Sequence, residues 1–309
     1  MSRPAAALGP RAAGALLGRA APAAFVLIWS TGFVVARLAM PHAQPLTFLS
    51  LRYALSIAAF AVWIALSRPR WPRGPAQWLH LAVTGMLMQA GYLGGVWCAV
   101  KQGLGAGMAA LIVGLQPVLT ALWVSRPGGQ REGISPRQWA GLGLGLGGLL
   151  LVVQNKLQLG QASASNVGLA VLALASITAG TLYQKRFVAP CDVRTANTVQ
   201  LLAALLVTLP LALQEPAQFD LQPGLLGALA WSVLVLTLGG SSLLYLLIQR
   251  GAATGVSSLM YLVPPCAALL AWWLFDETLT PRVLAGLALT ALGVALVLRG
   301  PAAAAPTPT

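Results

Sequence analysis

Arg52 carries the sharpest chemistry in this 309-residue chain, because it is the only formally charged side chain well inside a long apolar run. It lies about six residues from the outer end of its run, roughly 9 Å deep in hydrocarbon. An ion at that depth is a functional hypothesis by default. It can attract a substrate carboxylate, or its long stem can carry the charge back outward. It cannot relay protons, because a guanidinium keeps its proton at any workable pH. A second group of polar and aromatic residues, Gln89, Tyr92 and Trp97, falls in one run, and Ser241, Ser242, Tyr245 and Gln249 fall in another. Ser241 and Tyr245, four apart, share a helix face. Such groups can line a mostly apolar cavity with a few hydrogen-bonding positions, or they can be core packing. Asn197, Gln200, Tyr183 and Tyr261 are weaker candidates of the same kind. Gln116-Pro117 and Pro264-Pro265 interrupt two further runs. Proline removes an amide donor and obstructs the carbonyl four residues earlier, so each pair either frees backbone oxygens toward a site or kinks a helix for packing.

Other chemistry is excluded by what the sequence lacks. The six acids include none before Glu132 and none inside an apolar run, so a buried carboxylate relay is missing. Coupling to protons would have to use boundary groups such as Glu132, Glu277, His80 or Lys101, and facilitated diffusion or exchange stands beside it. His42 and His80 are the only histidines, and no HExxH, nucleophile elbow or Cys/His cluster occurs, so no catalytic residue, metal or cofactor is expected. Cys98, Cys191 and Cys266 lack metal-ligand spacing and imply no disulfide framework. Gly143 to Gly148 formally matches GxGxxG, yet no strand precedes it. Its glycines at spacing four, with Gly91/Gly95, Gly103/Gly107 and Gly251/Gly255, predict close helix packing within the chain, dimerisation being the alternative.

The elements that must position these residues follow from composition. Hydrophobic residues make up 58% of the chain and charged residues 8%, where a soluble domain carries about 25% charged. A water-soluble globule is excluded. The net charge of +13 comes from scarce acid rather than basic clusters, which argues against nucleic acid as a partner. Ten runs, near 20–36, 46–66, 77–100, 104–124, 139–154, 167–184, 195–213, 224–249, 252–275 and 282–298, have the length and apolarity of membrane-spanning helices, which need about 20 residues. Lipid leaves backbone amides only helices or closed barrels, and runs without strand-like alternation favour helices. The first resembles a signal peptide but is longer than a usual h-region, and is read as an uncleaved helix. Residues 1–19 and 300–309, rich in Ala, Gly and Pro, are expected to be disordered tails. With the N-terminus inside, 14 Lys and Arg fall on the cytoplasmic side and 4 outside, which requires an even number of spans and both termini cytoplasmic.

Sliding the chain against itself by 148 residues superposes Gly32 on Gly180, Arg37 on Lys185, Thr47 on Thr195, Pro75 on Pro223, Gly91 on Gly239, Gly107 on Gly255 and Pro117 on Pro265. Beyond a three-residue difference in one loop the offset becomes 145, pairing Glu132 with Glu277, Pro136 with Pro281, Gly141 with Gly286 and Gly148 with Gly293. Each unit then holds five spans, an odd number, so the second enters the membrane from the opposite face. The expected fold is an all-α integral membrane protein of ten transmembrane helices in two inverted five-helix repeats, residues 20–155 and 156–299. Inverted repeats can exchange conformations and open a central site to either side in turn, so transport is the default inference.

The residues also carry a family resemblance. Trp29-Ser30-Thr31-Gly32-Phe33 with Arg37, then Pro45-Leu46-Thr47-Phe48 leading to Arg52, resembles the opening of an EamA domain of the drug/metabolite transporter superfamily. Glu277-Thr278-Leu279-Thr280-Pro281, running into Gly286 and Gly293, resembles the end of a second such domain. The resemblance spans roughly residues 20–299, and departs in the longer, Gly-rich loop from Arg126 to Ser135. It implies a carrier in the bacterial inner (cytoplasmic) membrane that exports small metabolites such as amino acids. Taken together, the expectation is alternating access around a cavity between the third, fourth, eighth and ninth helices. Arg52, Gln89, Tyr92, Trp97, Gln116, Pro117, Ser241, Tyr245, Tyr261 and Pro264 are the candidate substrate contacts. The partners are a small molecule and the lipid bilayer, the state a monomer or weak homodimer. A non-transporting sensor or scaffold, or an intramembrane enzyme, is the competing reading.

Overall fold

The computed structural model describes residues 10–124, 136–158, 160, 162–243 and 262–298. Every named element among them is helical, and extended pairing is limited to one isolated antiparallel bridge between Ala43 and Phe219. The chain runs α1 (Pro10–Ala39), α2 (Pro45–Ser67), then α3 (Pro75–Gly85), a π-helical segment (Met86–Leu93) and α4 (Gly94–Lys101) as one continuous helix. It continues through α5 (Ala106–Val113), α6 (Gln116–Val124), α7 (Pro136–Gln158), α8 (Ala164–Phe187) and α9 (Val193–Ala212). After α10 (Pro223–Trp231) comes a second π-helical segment (Ser232–Ser241), then α11 (Val263–Phe275) and α12 (Pro281–Leu298).

Five of these helices are long and apolar enough to cross a membrane, namely Pro45–Ser67, Pro75–Lys101, Ala164–Phe187, Val193–Ala212 and Pro223–Ser241. The other five apolar runs hold shorter apolar stretches, Ala24–Ala39, Ala106–Thr120, Trp139–Asn155, Val263–Phe275 and Pro281–Leu296. Two sequence expectations need correction. The first helix begins at Pro10, so residues 10–19, read as tail, are helical. The run 104–124 is not one helix but two, α5 and α6, parted at Gly114 and Leu115. The break precedes Pro117, whose missing amide hydrogen is harmless in a helix's first turn and costly further in.

The π-helical segments lie in the third and the eighth apolar runs, and Met86–Leu93 shifted by 148 residues falls within Ser232–Ser241. The wider turn leaves backbone carbonyls less well served, and hydroxyls five residues on answer some of them. Thr237 Oγ1 donates to the Ser232 carbonyl at 2.8 Å, and Ser241 Oγ to Leu236 at 3.4 Å.

Helix contacts come in reciprocal sets. Helix α2 packs along α9 and α7 along α12, while α5 meets α11. Helix α1 packs against α10 and the second π segment, as α8 packs against α3 and the first. Glycine sets the closest of these approaches. A Cβ on Gly148 would stand 2.5 Å from the Gly286 carbonyl, and one on Gly293 2.4 Å from that of Gly141. Gly143 and Gly147 face open space instead, so only part of that glycine run packs within the chain.

Two acids hold helix starts. The Glu215 carboxylate accepts from the Leu46 and Thr47 amides at 3.0 and 2.8 Å and from the Thr47 hydroxyl at 2.9 Å, capping α2. Glu277 accepts from the Ala106 amide at 2.8 Å and caps α5. Each carboxylate thus meets the positive end of a helix dipole and satisfies amides that have no intrahelical partner. A boundary acid read as a possible coupling group, Glu277, is engaged in fastening one helix to another.

Candidate functional site

A cavity of about 820 Å³, counting the space through which it opens, lies among the long helices. Helix α1 contributes Trp29, Gly32 and Phe33, α2 contributes Arg52, and the first π segment contributes Met88, Gln89, Tyr92 and Leu93. Val96 and Trp97 of α4 continue that wall, and Gln184 of α8, Asn197 and Gln200 of α9, and Leu236 and Ser241 of the second π segment close it. Apolar and aromatic surface dominates, with amides and one cation among it, as small-molecule sites usually have.

Arg52 is 4% exposed, so its stem does not carry the charge out to the surface. Its Nε and Nη2 both donate to Thr237 Oγ1, each at 3.1 Å. That oxygen can accept twice because its own hydrogen goes to the Ser232 carbonyl. The neighbouring Tyr53 hydroxyl donates to the Gln89 carbonyl at 2.8 Å. Two consecutive residues of α2 therefore bind the two π segments, one each. Trp97 is held by stacking on Phe48, ring centroids 4.6 Å apart.

Five of the ten candidates, Arg52, Gln89, Tyr92, Trp97 and Ser241, line this cavity. Three do not. The Gln116 amide donates to Thr181 Oγ1 on α8 at 2.9 Å, Pro117 sits in the first turn of α6, and Pro264 opens α11 against the break in the fourth run. A Cβ on Gly114 would lie 2.4 Å from Pro264 Cγ. Pro264 thus packs against the break at Gly114. Tyr245 and Tyr261 lie outside the described residues. The cavity is also walled differently from expectation: no described residue of the fourth or ninth span lines it, and the first, second, sixth and seventh do.

Gln184 was missed, as were Thr237 and the walls from Trp29 and Phe33. Part of the signal was in the repeat. Shifted by 148 residues, Arg52 falls on Gln200, Gln89 on Thr237, Met88 on Leu236 and Leu93 on Ser241. Asn197 and Gln200, the weaker candidates of the seventh run, are in the lining as well, and applying the offset to Gln89 would have found Thr237. Gln184 falls on Ala36 and has no such partner to reveal it.

Residues 16–154 and 165–299 each match the EamA-like transporter family. The chain belongs to that family. Among curated relatives, a Salmonella typhimurium protein named a probable amino-acid metabolite efflux pump is 26% identical over 281 residues, covering 87% of this chain and 90% of its own length. The Escherichia coli K12 protein named uncharacterized inner membrane transporter YedA is 27% identical over 285 residues, covering 90% and 89%. A crystal structure of a protein 19% identical to this one superposes with a TM-score of 0.63 over 90% of this chain and 95% of that one, and so shares its fold. A membrane transporter of this family moves a small molecule, and the mostly apolar cavity among these helices carries a cation, four side-chain amides and two hydroxyls in its lining.

Proposed function

We propose that this protein is a secondary transporter that exports small metabolites, amino acids or related compounds, across the bacterial inner membrane. It works by alternating access between two inverted five-span units, with both termini cytoplasmic, as a monomer or weak homodimer. The observation that carries the reading is the cavity, to which both halves contribute and in which Arg52 and Gln200 are repeat counterparts. Support for inversion comes from the reciprocal helix contacts and from the paired π segments. The names of the Salmonella and Escherichia relatives support the cargo and the membrane. In this reading Arg52 anchors an anionic group, while Gln89, Tyr92, Trp97 and Ser241 orient the rest of the substrate.

The test is counterflow of a panel of amino acids and related metabolites in liposomes containing the purified protein. Arg52→Ala should reduce flux at least about tenfold, since a hydrogen bond to a charged group is worth about 1.5–3 kcal/mol. Gln116→Leu should leave substrate affinity unchanged, because the Gln116 amide is spent on Thr181. No protein-dependent flux of any compound would overturn the transport reading.

A further inference from the structure

Resting on that reading, we infer that the cargo is an organic monoanion with an apolar body, and that the membrane potential alone drives it outward, without a proton partner. The first observation is the charge of the cavity. Arg52 is buried, faces the cavity and meets a hydroxyl; among the described residues no Asp or Glu lines the space. The five described acids are placed elsewhere. Asp192 pairs with Arg194, Asp220 stands 4.0 Å from His42, Asp276 ends α11, and Glu215 and Glu277 cap helices. The sixth, Glu132, belongs to a loop in sequence and lies outside the described residues.

A buried cation without a counter-ion is costly, and a ligand's carboxylate offsets that cost by supplying the missing partner. A zwitterionic amino acid would bring its own ammonium into the same space, beside a like charge and with no carboxylate to receive it. The four amides of Gln89, Gln184, Asn197 and Gln200 suit a neutral hydroxyl or carbonyl, and Trp29, Phe33 and Trp97 suit a ring or branched chain.

The second observation concerns energy. A bacterial membrane is negative inside, so it expels an anion, and each 100 mV displaces the equilibrium of a univalent ion by about 2.3 kcal/mol, about fifty-fold. The intramembrane carboxylates that a proton-coupled carrier would use do not occur in the apolar runs. The charge moved is one per substrate whichever half of the cycle carries it, because Arg52 returns with the protein and keeps its proton.

The test compares 3-phenyllactate with phenylalanine, which share a ring and a carboxylate and differ by hydroxyl against ammonium. Proteoliposomes are preloaded with either compound and given a potassium diffusion potential with valinomycin. Phenyllactate efflux should quicken when the lumen is negative, approach about fifty-fold displacement at 100 mV, and ignore an imposed pH gradient. Phenylalanine should move at least tenfold more slowly. Arg52→Lys should retain measurable phenyllactate flux, and Arg52→Gln should lose it. Quenching of tryptophan fluorescence by phenyllactate, Trp29 and Trp97 being in the cavity wall, checks binding in the purified variants. Phenylalanine moving as fast as phenyllactate, or phenyllactate efflux indifferent to potential, overturns this inference and leaves transport standing. No movement of these probes or of the metabolite panel overturns both.

Discussion

At the scale of the residue, Arg52 of the proposed site is held in the cavity wall by Thr237. Thr237 Oγ1 receives both guanidinium bonds only because the π turn gives its hydrogen to the Ser232 carbonyl. Thr237→Val keeps the shape and removes the acceptor, leaving buried N–H groups unpaired at about 1–3 kcal/mol. Substrate affinity in that variant should fall about tenfold by equilibrium binding, while Thr237→Ser should stay near the parent. The Asp192 pair behaves differently. Hydrogen bonds from Arg194, the side-chain one foremost, hold the Asp192 carboxyl below the usual carboxylate range. A lowered folded-state value means that its stabilising contribution is complete above the unfolded carboxylate range near pH 4 and is lost as the pH falls through the lower folded value. Asp192→Asn should therefore lower the melting temperature at pH 7 slightly, and the gap between variant and parent should close under strongly acid conditions.

At the scale of the element, the helix starts and glycine contacts decide whether the cavity walls meet in register. Glu215 caps α2 from the loop after α9, so it fixes the helix that carries Arg52. Glu215→Gln should cost about 1–2 kcal/mol, read as a lower melting temperature in detergent, because the charged acceptor and its dipole partner are lost together. The glycines make opposite predictions on one helix. Gly148→Ala would press a methyl onto the Gly286 carbonyl and should destabilise by about 1–3 kcal/mol, the cost of overpacking. Gly147→Ala meets open space and should be neutral or stabilise by up to about 1 kcal/mol, the helix preference for alanine. Denaturation of both variants side by side checks the packing between α7 and α12 without reference to transport.

At the scale of the whole molecule, the alternating-access proposal requires one end of the bundle to open while the other closes. The end that carries the Ala43–Phe219 bridge is fastened: Gln44 and Asp220 amides cross it at 3.3 and 2.8 Å, and Lys101 Nζ ties the Met40 and Ala43 carbonyls to Gln218. Ala43 and Phe219 form the closer, non-hydrogen-bonded kind of antiparallel pair, where Cα atoms stand about 4.5 Å apart and two cysteines can be bridged. In a background without Cys98, Cys191 and Cys266, Ala43→Cys with Phe219→Cys should lose flux on oxidation and regain it on reduction. Flux unaffected by the bond would overturn movement at that end.

The sequence alone determined that the chain is helical and membrane-suited, and the family to which it belongs. Apolar run length, sparse charge and the 148-residue spacing of glycines and prolines are local or periodic properties that survive without knowledge of neighbours. It also singled out Arg52, Gln89, Tyr92, Trp97 and Ser241, because a polar group in an apolar run is conspicuous. Only the tertiary structure decided that Arg52 meets Thr237, that Gln184 lines the cavity, and that Gln116, Pro117 and Pro264 are not among the cavity's lining residues. The physical reason is that all these residues look alike in one dimension. Which face of a helix meets a neighbour, and which meets a void, is set by the approach of backbones such as Gly85 on Gln200, where a Cβ would stand 2.2 Å from the carbonyl oxygen.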